Sequence, residues 1–121
     1  MAKTLLIVDD AVSMRGLVAM TLRNSGYEVI EASDGKEALN RLQGKKVSMV
    51  ITDLNMPNMN GIEFVKALKS LPAFKFVPIV MLTTESEDGK KQEGKDAGVK
   101  AWMVKPFKPD ALLGVVRKII G

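Results

Sequence analysis

Cysteine and histidine are both missing from this 121-residue sequence. Without cysteine the protein has no disulfide bond and no thiolate zinc site. Without histidine it lacks the Ser-His and Cys-His nucleophile systems and most transition-metal sites. Any metal that the chain binds would therefore be a hard cation with oxygen ligands, which favours Mg²⁺.

Long apolar runs are missing as well, and none approaches the length that is needed to span a bilayer. The N-terminal residues 1–4 run directly into a predicted strand and lack the design of a signal peptide. The length suits one compact domain over residues 1–121, and a hydrophobic content of 46% suits a buried core. We therefore expect a cytoplasmic, single-domain protein.

Charge is unevenly distributed along the sequence. The net charge is +4, yet residues 90–118 alone hold eight Lys or Arg residues against three Asp or Glu residues. The ordinary interpretation is a solvated basic face, and the sharper one is a docking surface for an acidic partner. Nucleic acid is the less favoured partner, because neither interleaved aromatics nor a recognition-helix pattern accompanies the lysines.

Strand and helix patterns alternate along the chain. Short apolar runs predict five strands, at residues 5–8, 27–32, 47–52, 79–82 and 99–104. Helical spacing, together with capping residues, predicts helices at about residues 12–25, 34–44, 60–70, 85–97 and 109–120. Two of these helices begin with the pattern of a capping box, at Asp34 and at Asn60.

The predicted fold class is α/β, because alternating strands and helices demand a parallel sheet with helices on both faces. Right-handed crossovers then make the layout doubly wound. The second strand is less apolar and suits a sheet edge. The fourth helix is polar and contains Gly89 and Gly94. Because each interior glycine costs about 1 kcal/mol relative to alanine, this helix is predicted to be the weakest.

Four of the five predicted strands end in a polar residue that can do chemistry. These residues are Asp9 and Asp10 after the first strand, Asp53 after the third, Thr83 after the fourth and Lys105 after the fifth. With the flavodoxin-like strand order 2-1-3-4-5, all four strand ends are contiguous on one edge of the sheet. The switch point then falls beside the three carboxylates, where such folds place their ligands.

Each of these residues also has an ordinary structural interpretation. Asp10 and Thr83 could cap the helices that follow them. Lys105 could be a surface lysine, and Asp53 could form a turn with the polar residues after it. Their meeting at one edge favours a shared site over four separate roles.

Three carboxylates at one edge predict a cation site. At about 4 Å and an effective dielectric of about 20, each like-charged pair costs roughly 4 kcal/mol. Mg²⁺ suits such a cluster when waters and a phosphate complete its shell. Lys105 and Thr83 would then contact phosphoryl oxygens. No glycine-rich phosphate loop is present, but a carboxylate can itself be the nucleophile and form an aspartyl phosphate.

In these motifs the chain resembles the receiver domain of two-component response regulators, and within it the single-domain chemotaxis type. The resemblance runs from about residue 4 to residue 120. The matching motifs are Asp9-Asp10, the segment DLNMPNMNG at residues 53–61, Leu82-Thr83 and Lys105-Pro106-Phe107. All four motifs occur in order at these spacings, which makes the match far more specific than the acidic pair alone.

The resemblance implies a function. Asp53 would accept a phosphoryl group from a phosphohistidine of a sensor histidine kinase, with Asp53, Lys105 and Thr83 as the catalytic residues. The implied Mg²⁺ ligands are Asp9, Asp10, Asp53 and the backbone carbonyl of Asn55. Trp102 would be an aromatic switch residue that responds to Thr83, and the Lys105–Pro106 peptide bond would be cis.

The resemblance also implies partners. The output surface would be helix four, strand five and helix five, which coincide with the basic region. In the chemotaxis type the downstream target is the flagellar motor switch, and a phosphatase would end the signal. No nucleic acid or membrane partner is expected.

The sequence departs from the usual pattern of this family in three ways. Trp102 replaces the more common Tyr or Phe, Thr84 replaces a common Ala, and helix four is unusually polar.

Four alternatives differ from a chemotaxis regulator. One is a single-domain phosphorelay intermediate. A second is a Mg²⁺-dependent phosphatase with an aspartyl nucleophile, but its general acid would be an Asp where this chain has Asn55. A third is a flavodoxin-like FMN carrier, which lacks its phosphate loop here. A fourth is a receiver-like scaffold that is never phosphorylated, against which the complete acidic set argues. We expect a signalling module that catalyses only its own phosphoryl transfer and slow autodephosphorylation.

Overall fold

One parallel sheet with helices on both faces makes up the computed structural model, which describes residues 2–121. The strands are β1 Thr4–Val8, β2 Glu28–Ala32, β3 Met49–Thr52, β4 Ile79–Thr83 and β5 Ala101–Val104. The helices are α1 Val12–Asn24, α2 Gly35–Arg41, α3 Gly61–Lys69, α4 Asp88–Ala97 and α5 Pro109–Ile120, with a 3₁₀ turn at Pro72–Phe74. The strand order is β2-β1-β3-β4-β5, which confirms the predicted fold class and the edge position of the second strand.

The two faces of the sheet are covered by separate core layers. Successive strand residues point to opposite faces, so Leu6 of β1 joins one layer and Leu5 joins the other. Phe64 of α3 lies in the first layer, while Leu112 of α5 lies in the second. All four side chains are fully buried. No helix within residues 2–121 has both the length and the apolar character of a membrane span.

Several predicted element ends are wrong by two or three residues. The third strand begins at Met49 rather than residue 47, and the second helix ends at Arg41 rather than residue 44. The fifth strand begins at Ala101, because Val99 still belongs to the end of α4. Gly98 has a φ of 110°, and the N–H of Val99 donates to the carbonyl of Gly94 at 2.9 Å. This left-handed helix ending includes Val99, which the sequence pattern placed in the fifth strand.

One of the two predicted capping boxes is complete. At α3 the N–H of Glu63 donates to the Asn60 side chain at 2.8 Å, and the N–H of Asn60 donates to the Glu63 carboxylate at 3.0 Å. At α2 only the first half forms, with the N–H of Glu37 donating to Asp34 at 2.8 Å. The Glu37 carboxylate instead accepts from the N–H and hydroxyl of Ser33, one residue earlier. Both arrangements bind orphan N–H groups at a helix start.

The two glycines inside α4 have different structural roles. Gly94 is buried, and a β-carbon built on it would lie 2.8 Å from Cζ3 of Trp102. Gly89 is exposed, and a β-carbon there would meet nothing within 4 Å. The expectation that an interior glycine only weakens the helix therefore stays a prediction for Gly89 and is incomplete for Gly94. Gly94 makes the space in which the Trp102 indole packs.

Alanine substitutions distinguish these roles. Gly89→Ala should raise the free energy of unfolding by about 0.4–1 kcal/mol, because it restricts the unfolded chain without a clash. Gly94→Ala should lower it by about 1–3 kcal/mol, because the methyl group overpacks against the indole. Urea denaturation followed by circular dichroism measures both. Equal stabilisation by the two substitutions would show that Trp102 does not depend on Gly94.

Candidate functional site

Three carboxylates meet at the carboxyl edge of the sheet, as the strand-end pattern predicts. The main chain at Asp9 and Asp53 continues the parallel pairing beyond the strands: the N–H of Asp9 donates to Ala32 at 3.1 Å and that of Asp53 to Val8 at 2.9 Å. Carboxylate oxygens of Asp9, Asp10 and Asp53 all lie within 4.8 Å of one another. Asp9 and Asp53 are buried, and Asp10 is exposed.

Lys105 lies between the two buried carboxylates. Its Nζ donates to Asp9 Oδ2 at 2.7 Å and to Asp53 Oδ2 at 2.9 Å, and its side chain is only 9% exposed. The interpretation of Lys105 as an ordinary surface lysine is therefore wrong. Its peptide bond to Pro106 is cis, as the resemblance implies.

The environment keeps Lys105 charged. Burial by itself lowers the pKa of Lys105, but the hydrogen bonds and charges of Asp9 and Asp53 outweigh burial and raise the pKa above its usual value. Because the folded-state pKa is the higher one, the ion pair contributes stability at neutral pH. The contribution of the Lys105 charge is lost as the pH rises through the folded-state pKa. The cluster therefore carries its own cation at physiological pH.

The remaining oxygens of the two buried carboxylates accept main-chain hydrogen bonds. Asp9 Oδ1 accepts from the N–H of Ala11 at 2.9 Å, and Asp53 Oδ1 accepts from the N–H of Leu54 at 2.7 Å. Both carboxylates are thus fixed in orientation. Asp10 does not cap α1, because the N-cap residue is Ala11 and no side-chain capping bond forms. The capping interpretation of Asp10 is wrong.

Two further residues hold the main chain that carries the carboxylates in place, and the strand-end pattern did not indicate either of them. A β-carbon on Gly61 would lie 2.2 Å from the carbonyl oxygen of Asp53, so only glycine allows the loop to return this closely. Arg15 Nη1 donates to the carbonyl oxygen of Asp9 at 2.7 Å, while its Nε pairs with Glu31 at 3.3 Å. The sequence shows a turn glycine at Gly61, but no local pattern connects Arg15 with Asp9.

Thr83 and Trp102 are linked through one residue of the loop after β4. Thr83 is fully buried, and its hydroxyl accepts from the N–H of Glu85 at 3.3 Å. The indole Nε1 of Trp102 donates to the carbonyl of the same Glu85 at 2.8 Å. Thr83 does not cap α4, since that helix begins at Asp88. The capping interpretation of Thr83 is therefore wrong.

Trp102 lies apart from the carboxylates. It is half-buried and packs with the core layer that contains Phe64, while its neighbours Ala101 and Met103 pack with the opposite layer. The remaining predicted ligand, Asn55, is an exposed residue of the loop that follows Asp53. Thr84 is also exposed.

The donor set at this edge is compatible with Mg²⁺. It consists of carboxylate oxygens close enough to share one hard cation, with neither histidine nor cysteine in the chain to favour another metal. Lys105 already bonds to one oxygen of Asp9 and one of Asp53. A bound cation would therefore share these carboxylates with the ammonium group.

The fold and the site together define a doubly wound α/β protein with an acidic site at its switch point. Residues 5–117 match the sequence model of the response regulator receiver domain. The chain therefore belongs to the response regulator receiver family, and it is a signalling protein of the two-component type.

Similar proteins agree with this assignment. Chemotaxis protein CheY1 of Helicobacter pylori is 41% identical over 97% of this chain and 96% of its own length. A structure of chemotaxis protein CheY4 of Vibrio cholerae is 47% identical, covers 98% of this chain and 99% of that chain, and superposes with a TM-score of 0.95. The regulatory protein PhoP of Bacillus subtilis, which acts on alkaline phosphatase synthesis, is 38% identical over 99% of this chain but only 49% of its own length.

The charge balance of the site predicts opposite effects for two substitutions. In EDTA, Asp10→Asn should raise the free energy of unfolding by no more than about 1 kcal/mol, and the melting temperature modestly with it, because it removes an exposed like charge without breaking a hydrogen bond. Lys105→Met should lower stability by about 2 kcal/mol or more, because it leaves two buried carboxylates without a cation.

Thermal denaturation by circular dichroism checks both effects. Added Mg²⁺ should stabilise the unsubstituted protein more than the Asp10→Asn variant, since that variant has lost a ligand charge. A melting temperature that falls on Asp10→Asn in EDTA would contradict the prediction, because Asp10 would then be a structural acceptor.

Proposed function

We propose that residues 1–121 form one cytoplasmic receiver domain in which Asp53 accepts a phosphoryl group from the phosphohistidine of a sensor histidine kinase. The observation that carries this proposal is the setting of Asp53 at the switch point, with Oδ2 2.9 Å from Lys105 Nζ and Oδ1 2.7 Å from the N–H of Leu54. One oxygen is fixed by a main-chain N–H, and the other meets the ammonium group of Lys105. Oδ2 is therefore the oxygen that we assign as the nucleophile.

In the transfer, the P–N bond of the phosphohistidine breaks and a P–O bond to Asp53 forms, while the imidazole nitrogen keeps the electron pair. Lys105 exchanges one carboxylate contact for a phosphoryl oxygen and neutralises charge there. Thr83 can donate its hydroxyl proton to a second phosphoryl oxygen, because a hydroxyl that accepts from Glu85 still has a proton to give.

Mg²⁺ is the cofactor that we propose for this site. Its ligands would be Asp9, Asp10, Asp53 and the main-chain carbonyl of Asn55. When bound, it would supply charge neutralisation for the phosphoryl oxygens. Asp9 and Asp53 are held by main-chain donors and Lys105, so their carboxylates are oriented before any ligand arrives.

The same site would slowly hydrolyse its own aspartyl phosphate. Water would attack the phosphorus from the side on which the imidazole departed. The chain would act on no separate substrate, because a phosphatase of the aspartyl type needs a second acid where Asn55 stands. Incubation with small phosphate esters separates these possibilities, since steady turnover would reveal an enzyme. An FMN carrier would be yellow after purification.

We propose a chemotaxis output, with the flagellar motor switch as the target of α4, β5 and α5. Two relatives that match over nearly their whole length, from Helicobacter pylori and Vibrio cholerae, carry the name chemotaxis protein, which supports this choice. A single-domain phosphorelay intermediate is the alternative. A pull-down with and without beryllofluoride, which mimics the phosphoryl group, would identify the partner that binds only the activated form and would also capture a phosphatase.

Acetyl phosphate with Mg²⁺ should add one phosphoryl mass to the protein. Asp53→Asn should abolish this addition, because an amide oxygen is not a nucleophile under these conditions. Intact-mass spectrometry measures the labelled fraction. Asp110→Asn, which changes an exposed carboxylate of α5, is the matched control and should label like the unsubstituted chain. Equal labelling of Asp53→Asn would overturn the assignment of the phosphorylation site.

We assign Thr83 and Trp102 as the switch, connected through the main-chain N–H and C=O of Glu85. When Thr83 turns to a phosphoryl oxygen, its bond to the Glu85 N–H changes, and the Glu85 carbonyl is the group that holds the indole. The ring would then close further into the space that Thr83 vacates. This route needs no contact between Trp102 and the phosphoryl group.

Trp102 is the only tryptophan, so its fluorescence reports this switch directly. Beryllofluoride with Mg²⁺ should shift its emission and reduce its quenching by iodide, because the ring becomes less accessible. The shift should vanish in Asp53→Asn and shrink in Thr83→Ala. A shift that persists undiminished in Thr83→Ala would show that the two residues are not coupled.

A further inference from the structure

The basic region of the sequence does not form one surface. Within residues 90–118, Lys105 is bound by the acidic site, and Lys90 pairs with Glu93 at 3.4 Å. Lys100 instead directly precedes β5, at the amino edge of the sheet and opposite the carboxylates. Lys100 also lies beside Lys91 and Lys95 of α4 and Trp102 of β5, so it adjoins both the amino edge and the predicted output surface.

Lys100 lines a cavity of about 430 Å³ at this amino edge, together with Lys75 and Lys69. No Asp or Glu lines the cavity, and within residues 2–121 no carboxylate lies within 4.0 Å of the ammonium of Lys75 or Lys100. Lys75 and Lys100, two cations that line one concavity without a carboxylate partner, favour an anionic ligand.

The same cavity presents apolar surface. Phe76 is 88% exposed, which is the highest exposure of any large hydrophobic side chain within residues 2–121. Its ring lies 5.6 Å from the Lys75 ammonium, and Pro78 and Ile119 complete the apolar part of the lining. Ammonium groups and an exposed aromatic in one cavity suit a ligand that combines carboxylates with an apolar side chain.

The segment that carries Phe76 is held in place. Lys69 Nζ donates to the carbonyl oxygens of Val77, at 2.5 Å, and Lys75, at 3.2 Å, which ties the segment to the end of α3. The N–H of Val77 donates to the carbonyl of Phe74, a buried residue, at 3.2 Å. Burial lowers the pKa of Lys69, as expected for an ammonium that is enclosed by the fold. A segment that is fixed before binding loses little conformational freedom when a ligand arrives.

We propose that the cavity around Lys75, Phe76 and Lys100 is a docking site for an acidic peptide segment of a partner protein. The segment would place carboxylates against Lys75 and Lys100 and an apolar side chain against Phe76. The lining is concave and contains both kinds of group, so it suits an extended chain better than a flat membrane surface. The site lies at the sheet edge opposite Asp53 and shares no lining residue with the acidic cluster.

Fluorescence anisotropy tests the proposal on the full chain. The probe is a short fluorescein-labelled peptide of glutamates around one phenylalanine, with a phenylalanine-to-alanine peptide beside it. The protein should bind the first peptide more tightly, and the affinity should fall as salt rises from about 50 to about 500 mM. Lys75→Ala and Lys100→Ala should each weaken binding about threefold, and Phe76→Ala about tenfold.

Matched controls keep the outcome decisive. Lys66→Ala removes an exposed charge from α3, and Met20→Ala removes an exposed apolar side chain from α1. Both should leave the affinity unchanged. Absence of peptide binding, or equal losses in the controls, would overturn the proposal. Binding to phosphatidylserine vesicles without binding to the peptide would also overturn it, in favour of a membrane surface.

Discussion

Lys105 holds together the edge of the sheet on which the site is built. Its ammonium group bonds to Asp9 and Asp53, so one side chain from the end of β5 connects the ends of β1 and β3. Without a cation, the repulsion between these buried carboxylates would oppose their burial. Any phosphoryl group that reaches Asp53 must compete with this ion pair. The resting site and the response that we propose to phosphorylation of Asp53 would therefore depend on the same contact.

The opposite face of β5 contains a second matched pair, Trp102 and Gly94. An indole is larger than a phenyl or phenol ring, and it fits here because α4 has no β-carbon at Gly94. The indole also carries an N–H, which reaches the carbonyl of Glu85. Glu85 in turn donates its own N–H to Thr83. The main chain of a single residue, Glu85, therefore lies between the buried Thr83 hydroxyl and the aromatic ring near the surface.

The two edges of the sheet have opposite charge. The carboxyl edge gathers Asp9, Asp10 and Asp53, whereas the amino edge presents Lys75 and Lys100 beside an exposed phenylalanine. Parallel strands make this separation possible, because all five begin at one edge and end at the other. Residues that are near one another in sequence, such as Lys100 and Lys105, are thereby delivered to opposite ends of the molecule.

The sequence by itself determined the order of elements, the strand order and the strand-end residues of the site, because hydrophobic periodicity is local and parallel strands share one edge. It did not determine contacts between distant residues, such as Arg15 with the Asp9 carbonyl or Gly94 with the Trp102 ring. It also missed where β5 begins, because the hydrogen bond from Val99 to Gly94 extends the helix ending. These features depend on which side chains and carbonyls meet after the chain has folded, and only the tertiary structure decided them.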